Sequence, residues 1–84
     1  VRLREPEWDE KNEAHIAEHG VVPLEVEELL FEDEPHYRRA GKGVHHVYGR
    51  TGAGRYLFVV LRILGRGRGR VVTARNMTRK ERRF

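Results

Sequence analysis

Arg55-Tyr56-Leu57-Phe58-Val59-Val60-Leu61-Arg62-Ile63-Leu64 is the stretch that decides the fold. Its middle combines two aromatics with leucine and β-branched neighbours, the composition of a strand. The run is apolar at nearly every position rather than at alternate ones. That pattern implies burial on both faces and a central place in a sheet. Glycine-rich segments flank it: Thr51-Gly52-Ala53-Gly54 reads as a tight connection, and Gly65-Arg66-Gly67-Arg68-Gly69 as a flexible turn. Val44–Arg50 before them and Arg70–Arg75 after them read as the antiparallel neighbours, with a further edge strand around His36–Arg39.

Upstream the periodicity changes. Asp9 is placed to cap a helix from Glu10 to His19, accepting from the amide of Asn12, with Gly20 as its stop. Pro23 suits the first turn of a second helix that runs to about Phe31, with Val26, Leu29, Leu30 and Phe31 as its apolar stripe. Val1–Arg4 alternates as an edge strand would, and Pro6 ends it. Downstream, Thr78-Arg79-Lys80-Glu81 fits a capping box, so a short terminal helix is expected from Thr78. The expected class is therefore α+β, in the order β-α-α-β-β-β-α: a small antiparallel sheet, two N-terminal helices packed on one face, and a short C-terminal helix.

At 84 residues the whole chain, 1–84, is expected to form one domain around one core. No apolar run approaches bilayer length and no secretory h-region opens the chain. The absence of cysteine excludes a disulfide framework, a thiol nucleophile and Cys-ligated zinc, and it fits a reducing cytosol. The expectation is a cytoplasmic protein with no membrane partner.

The net charge of +4 conceals a divided chain. Residues 1–35 carry three basic and twelve acidic side chains, a balance of −9. Residues 36–84 carry fourteen Lys or Arg against Glu81, a balance of +13, and twelve of the fourteen are Arg. Arginine favours bidentate contact with phosphate, so the basic half points to a polyanion partner. Partial neutralisation of one half by the other on folding is the alternative, and the acidic half suits a basic protein partner.

Three motifs suggest chemistry. His15-Ile16-Ala17-Glu18-His19 spells H-x-x-E-H, with both histidines on one helix face. A catalytic zinc needs a third ligand and a cleft, for which this chain has little material, so no metal and no cofactor is expected. The glycine clusters lack the Lys-Ser/Thr tail of a P-loop. They read as hairpin turns, with Arg66, Arg68 and Arg70 forming a basic fingertip suited to nucleic-acid backbone. The third is a constellation of His46, Tyr48, Arg50, Arg55, Arg62, Arg75, Arg79 and Glu81. Alternation puts His46, Tyr48 and Arg50 on one strand face and His45 with Val47 on the other. RNA is cut without a metal when its own 2′-hydroxyl attacks the adjacent phosphorus. That reaction needs a proton acceptor, a proton donor and fixed cations around the phosphorane. The alternative has His46 and Tyr48 packing the sheet among solvated arginines.

The order of short motifs resembles the BrnT family, toxins of bacterial type II toxin–antitoxin modules. Glu7-Trp8-Asp9-Glu10-Lys11-Asn12, Glu18-His19-Gly20-Val21 and the acidic helix through Val26–Phe31 are similar to its opening. Tyr48-Gly49-Arg50-Thr51, Gly54-Arg55-Tyr56-Leu57-Phe58-Val59-Val60 and Val71-Val72-Thr73-Ala74-Arg75-Asn76-Met77-Thr78-Arg79-Lys80-Glu81-Arg82 resemble its hairpin and closing motif. The resemblance implies a RelE-like fold whose open sheet face binds RNA. It implies a translation-arresting ribonuclease, neutralised by a ribbon-helix-helix antitoxin that represses operator DNA with it. Arg55, Arg75, Arg79 and Glu81 stand where the family carries recurring polar residues. Many members have an acid–arginine pair where this chain has Gly43-Val44-His45-His46, which makes His46 a substitute by inference. Many also continue the last helix beyond the position of Phe84.

The expected function is a metal-independent endoribonuclease toxin. Arg55, Arg75 and Arg79 are expected to hold the scissile phosphate, His46 or Glu81 to accept the 2′-hydroxyl proton, and Tyr48 or His46 to protonate the leaving 5′-oxygen. Arg50, Arg62, Arg66, Arg68, Arg70, Lys80 and Arg82 are the expected RNA contacts. The rival is a non-catalytic basic module of the same fold that binds nucleic acid or protein. Either demands one arginine-lined platform, and guanidinium groups consumed by the molecule's own carboxylates speak against it.

Overall fold

A computed structural model of the protein describes residues 5–32 and 34–83. Its elements are β1 (Glu5–Glu7), α1 (Glu10–Ala17), α2 (Pro23–Phe31), β2 (His36–Gly41), β3 (Val44–Arg50), β4 (Tyr56–Gly65), β5 (Arg68–Asn76) and a 3₁₀ turn, Glu81–Arg83. The five strands form one sheet in the order β1-β5-β4-β3-β2. The class is α+β, and β4 is central as its apolar run requires.

The sheet is mixed where an antiparallel one was expected. β2 to β5 pair as successive antiparallel neighbours, but β1 runs parallel to β5, Pro6 lying opposite Gly69. The cause is local. Asn12, on α1, donates from Nδ2 to the carbonyls of Glu7 (2.9 Å) and Val71 (3.3 Å), which binds the start of α1 to β5. Only two residues separate β1 from α1, so β1 is kept close to β5 and pairs with it. Pro6 therefore lies within β1 instead of ending it, a position tolerated on an edge strand. The strand expected at Val1–Arg4 falls outside the described residues.

Asp9 caps α1 as expected: its carboxylate accepts from the Asn12 amide (2.8 Å), and Asn12 Oδ1 accepts from the Asp9 amide (2.7 Å). The helix stops at Ala17, short of His19. Gly20, at a φ of +71°, lets the chain turn back so that the amides of Gly20 and Val21 reach the carbonyls of Ala17 and Ile16. α2 starts at Pro23, and the Glu25 carboxylate accepts from the Val22 amide (3.2 Å).

Ile16 of α1, Val21, and Val26, Leu29 and Leu30 of α2 share one buried cluster with Val47, Leu57, Val59, Leu61, Val71 and Ala74 of the sheet. Trp8 packs against it and donates from Nε1 to Glu27 (3.1 Å). Leu57, Val59 and Leu61 alternate along β4, so Phe58, Val60 and Arg62 belong to the sheet's other side. Pairing extends that second side to His46 and Tyr48 of β3 and to Thr73 and Arg75 of β5. An irregularity in β5 leaves Val72 without a partner between the Val60–Thr73 and Leu61–Val71 pairs.

Two further expectations are corrected. The segment from Gly65 to Gly69 is a two-residue turn, with Arg66 and Gly67 both at positive φ (54° and 76°) as the right-handed strand twist demands. Arg68 and Gly69 already belong to β5, and Gly69 is buried. The capping box at Thr78 forms in full, its hydroxyl accepting from the Glu81 amide (3.2 Å) and Glu81 accepting from the Thr78 amide (2.8 Å). Among the described residues this box opens only a single 3₁₀ turn, because one cap does not offset the cost of nucleating an α-helix.

Candidate functional site

The side of the sheet away from the core cluster carries a compact group centred on Phe58. Tyr48 stands directly across on β3 and Arg75 directly across on β5. The ring of Tyr48 lies 5.2 Å from that of Phe58, and the ring of His46 meets it edge-on at 4.9 Å. The Arg75 guanidinium lies over the same ring, 4.3 Å from its centroid, within cation–π range. Phe58 is thus nearly buried although it faces away from the core. Strand alternation and register place all four: the odd–even pattern puts them on one face, and the pairing sets them side by side.

Arg75 forks onto Glu81, Nη1 to Oε1 at 2.8 Å and Nη2 to Oε2 at 3.0 Å. This contact is the main reason the Glu81 carboxyl is held down to about 2; the hydrogen bonds from Thr78 add to it against partial burial. Arg75 is raised from its ordinary value, chiefly by the same hydrogen bond and in smaller part by the nearby Tyr48. Glu81 is therefore a firmly ionised carboxylate and a weak proton acceptor. On Arg75 its two oxygens occupy the positions two phosphate oxygens would take.

The other predicted residues divide. Arg62, opposite Val44 and Arg70, is exposed on the same sheet side, and Arg82 stacks on the Tyr56 ring at 4.6 Å. Arg50 reaches the same ring at 5.9 Å. Arg79 and Lys80 are exposed in the turn before Glu81. Arg66 sits at the β4–β5 hairpin tip, away from Phe58.

Arg55 does not join the group. Its Nη1 donates to both Glu25 oxygens (3.1 Å each) and to the Gly20 carbonyl (2.7 Å), Nη2 to the His19 carbonyl (3.3 Å), and Nε to Asn76 Oδ1 (2.7 Å). It fastens the α1–α2 turn to the end of β5. Arg68 pairs with Glu7, and Arg70 with Asp9 at 2.6 Å, which helps lower the Asp9 carboxyl below its usual value, after the Asn12 amide. The acidic half thus neutralises part of the basic half, the alternative that the charge division left open. The arginine platform is accordingly smaller than the sequence suggested. Arg68 and Arg70 remain about half exposed, and such pairs contribute little and yield to a competing anion.

His15 and His19 are both exposed, their rings edge-to-face with centroids 5.7 Å apart. Among the described residues no three His, Cys, Asp or Glu side chains gather into a metal-binding group. No helix among them is long and apolar enough to cross a membrane.

Sequence reasoning missed Phe58 as the centre of the group. Its place opposite both Tyr48 and Arg75 is a matter of register, which alternation alone does not supply. It also missed Glu25 and Asn76 as the partners of Arg55.

The family model described as "Ribonuclease toxin, BrnT, of type II toxin-antitoxin system" matches residues 8–81, from Trp8 through the Glu81 that holds Arg75. The chain belongs to the BrnT family. BrnT proteins are ribonuclease toxins of type II toxin–antitoxin systems, and the matched segment contains every residue of the Phe58 group. No curated protein and no solved structure gives a significant match.

Proposed function

We propose that the protein is a metal-independent endoribonuclease whose reaction centre is the Phe58 group. The observation that supports it is the convergence of His46, Tyr48 and Arg75 around one ring on the sheet face away from the core cluster, within a BrnT chain. In this reading the scissile phosphate displaces Glu81 from the Arg75 fork, and Arg75 stabilises the phosphorane as charge builds on its oxygens. His46 accepts the 2′-hydroxyl proton. Tyr48 protonates the departing 5′-oxygen, leaving a 2′,3′-cyclic phosphate and a 5′-hydroxyl. Glu81 is the poorer base of the two candidates, because a carboxyl held at about 2 has little drive to take a proton near neutral pH. Its proposed part is to orient Arg75 before RNA arrives.

Arg62 would follow the RNA backbone on one side of the cut, and the exposed Arg79 and Lys80 on the other. Arg55 is proposed as a brace of the fold. The wider reading, a RelE-like toxin that stops translation and is neutralised by a ribbon-helix-helix antitoxin acting with it on operator DNA, is carried by the family resemblance alone.

The test is incubation of the purified protein with single-stranded RNA in excess chelator, followed by end-group analysis. Products ending in cyclic phosphate are expected. RNA that is bound but left intact would replace this reading with that of a non-catalytic binding module. Binding itself does not separate the two, since both predict a salt slope near roughly −0.7 per phosphate contacted.

A further inference from the structure

Beside the Phe58 group, and sharing Tyr48 with it, lies a cleft of about 410 Å³. Tyr48 and Tyr56 form aromatic walls, Met77 adds an apolar one, and Gly49 presents backbone without a side chain. The Arg82 guanidinium lies over Tyr56, 4.6 Å from the ring centroid, and adds a cationic plane to that wall. The exposed Glu34 is the carboxylate of the lining, which also includes His36 and Arg50. Tyr48 belongs both to this cleft and to the cluster that holds Arg75, and Glu81 and Arg82 are consecutive, one on each site.

These features fit an unpaired nucleobase. Proteins that hold single strands stack bases on aromatic rings and arginine planes, and they read the exposed edges by hydrogen bonding. A carboxylate accepts from an exocyclic amino group, which adenine, cytosine and guanine carry and uracil lacks. We propose that the Tyr48–Tyr56–Met77–Arg82 cleft is a nucleobase subsite for the nucleotide next to the phosphate at Arg75, with Glu34 favouring amino-bearing bases. This rests on the RNA-cleaving reading for its neighbour at Arg75 and deepens it by naming what flanks the cut.

Met77 is the one methionine of the sequence, so its methyl group is an unambiguous reporter from the cleft wall. In a methyl NMR titration, adenosine and cytidine 5′-monophosphates should move that signal at concentrations where uridine 5′-monophosphate and ribose 5-phosphate do not. Tyr56→Ala should weaken adenosine monophosphate binding by roughly ten-fold, and Tyr56→Phe should preserve it, since stacking needs the ring and not the hydroxyl. A methyl that answers ribose 5-phosphate as it answers the nucleotides, or answers none of them, overturns the subsite. Equal response to uridine and cytidine monophosphates overturns the role of Glu34. Nucleotides that bind in this pattern while RNA stays uncut would sink the nuclease reading and leave the subsite standing. Cleavage indifferent to abasic substitution at every position near the cut would do the reverse.

Discussion

Arg55 and Arg75 each grip a glutamate, and both side chains lie near the Asn76 end of β5, yet they hold different things together. Arg55 reaches Glu25 on α2, two carbonyls of the α1–α2 turn, and Asn76, so it joins three parts of the chain far apart in sequence. Arg75 reaches Glu81 six residues on and lies over Phe58 on the adjacent strand, so its ion pair joins β5 to its own continuation and its ring contact stays within the sheet. Removing the Arg55 contacts opens the seam between helices and sheet. Removing the Arg75 fork should free a 3₁₀ turn and spare the core cluster on the other side of the sheet. A partly buried ion pair is thus no guide to role by itself; what matters is how many separate parts of the chain depend on it.

Substitutions on the two sides should therefore fail in different ways. The largest effect is expected on the Arg75 side from His46→Ala, which should slow RNA cleavage by about 10²–10⁴ with the unfolding transition nearly unmoved. A cleavage rate within a few-fold of the parent would remove His46 as the proton acceptor. Arg75→Ala should cost ~10²–10³ in rate, measured on a protein whose melting curve stays close to the parent's. If it unfolds the protein instead, Arg75 braces the fold just as Arg55 does and the two arginines share one role.

Arg55→Ala should behave in the opposite sense. Loss of its charged hydrogen bonds is expected to lower stability by about 2 kcal/mol, read from urea denaturation. For a domain this small that is roughly a 10 °C fall in melting temperature. Cleavage per folded molecule should persist, and a fully stable but inactive Arg55→Ala would move Arg55 into the chemistry.

The smallest effect concerns Glu81. Its carboxyl lies at about 2 when folded against an ordinary 4.5, so its contribution is complete above about pH 4.5 and is lost as the pH falls towards 2. An acid titration monitored at the Arg82 amide should show the turn releasing across that window. Glu81→Gln should abolish the step, and a step that survives in this variant would assign it to another group.

The same two arginines show how far the sequence could be read. β3 and α2 appear with the expected limits because their signals are local: a short alternating run, and a proline that opens a helix before an apolar stripe. The capping at Asp9 and Thr78 was legible for the same reason. The parallel placement of β1 was not, since it depends on Asn12 binding a carbonyl fifty-nine residues away. His46 and Tyr48 were rightly put on one face by alternation. Their junction with Arg75 across Phe58 needed the β4–β5 register, and the irregularity at Val72 shifts that register by one residue midway. Arg55 looked like its fellow arginines because nothing in its neighbours announces Glu25, thirty positions earlier.

The parallel edge has a consequence for biosynthesis. β2 through β5 join by short hairpins, whereas Glu5 meets Arg68, sixty-three positions onward. Closing so wide a loop is entropically slower than zipping adjacent hairpins. During translation β1 must wait unpaired until β5 clears the exit tunnel, and β5 is also the strand that brings Arg75. The sheet face that carries the Phe58 group is therefore completed only once β5 has been made.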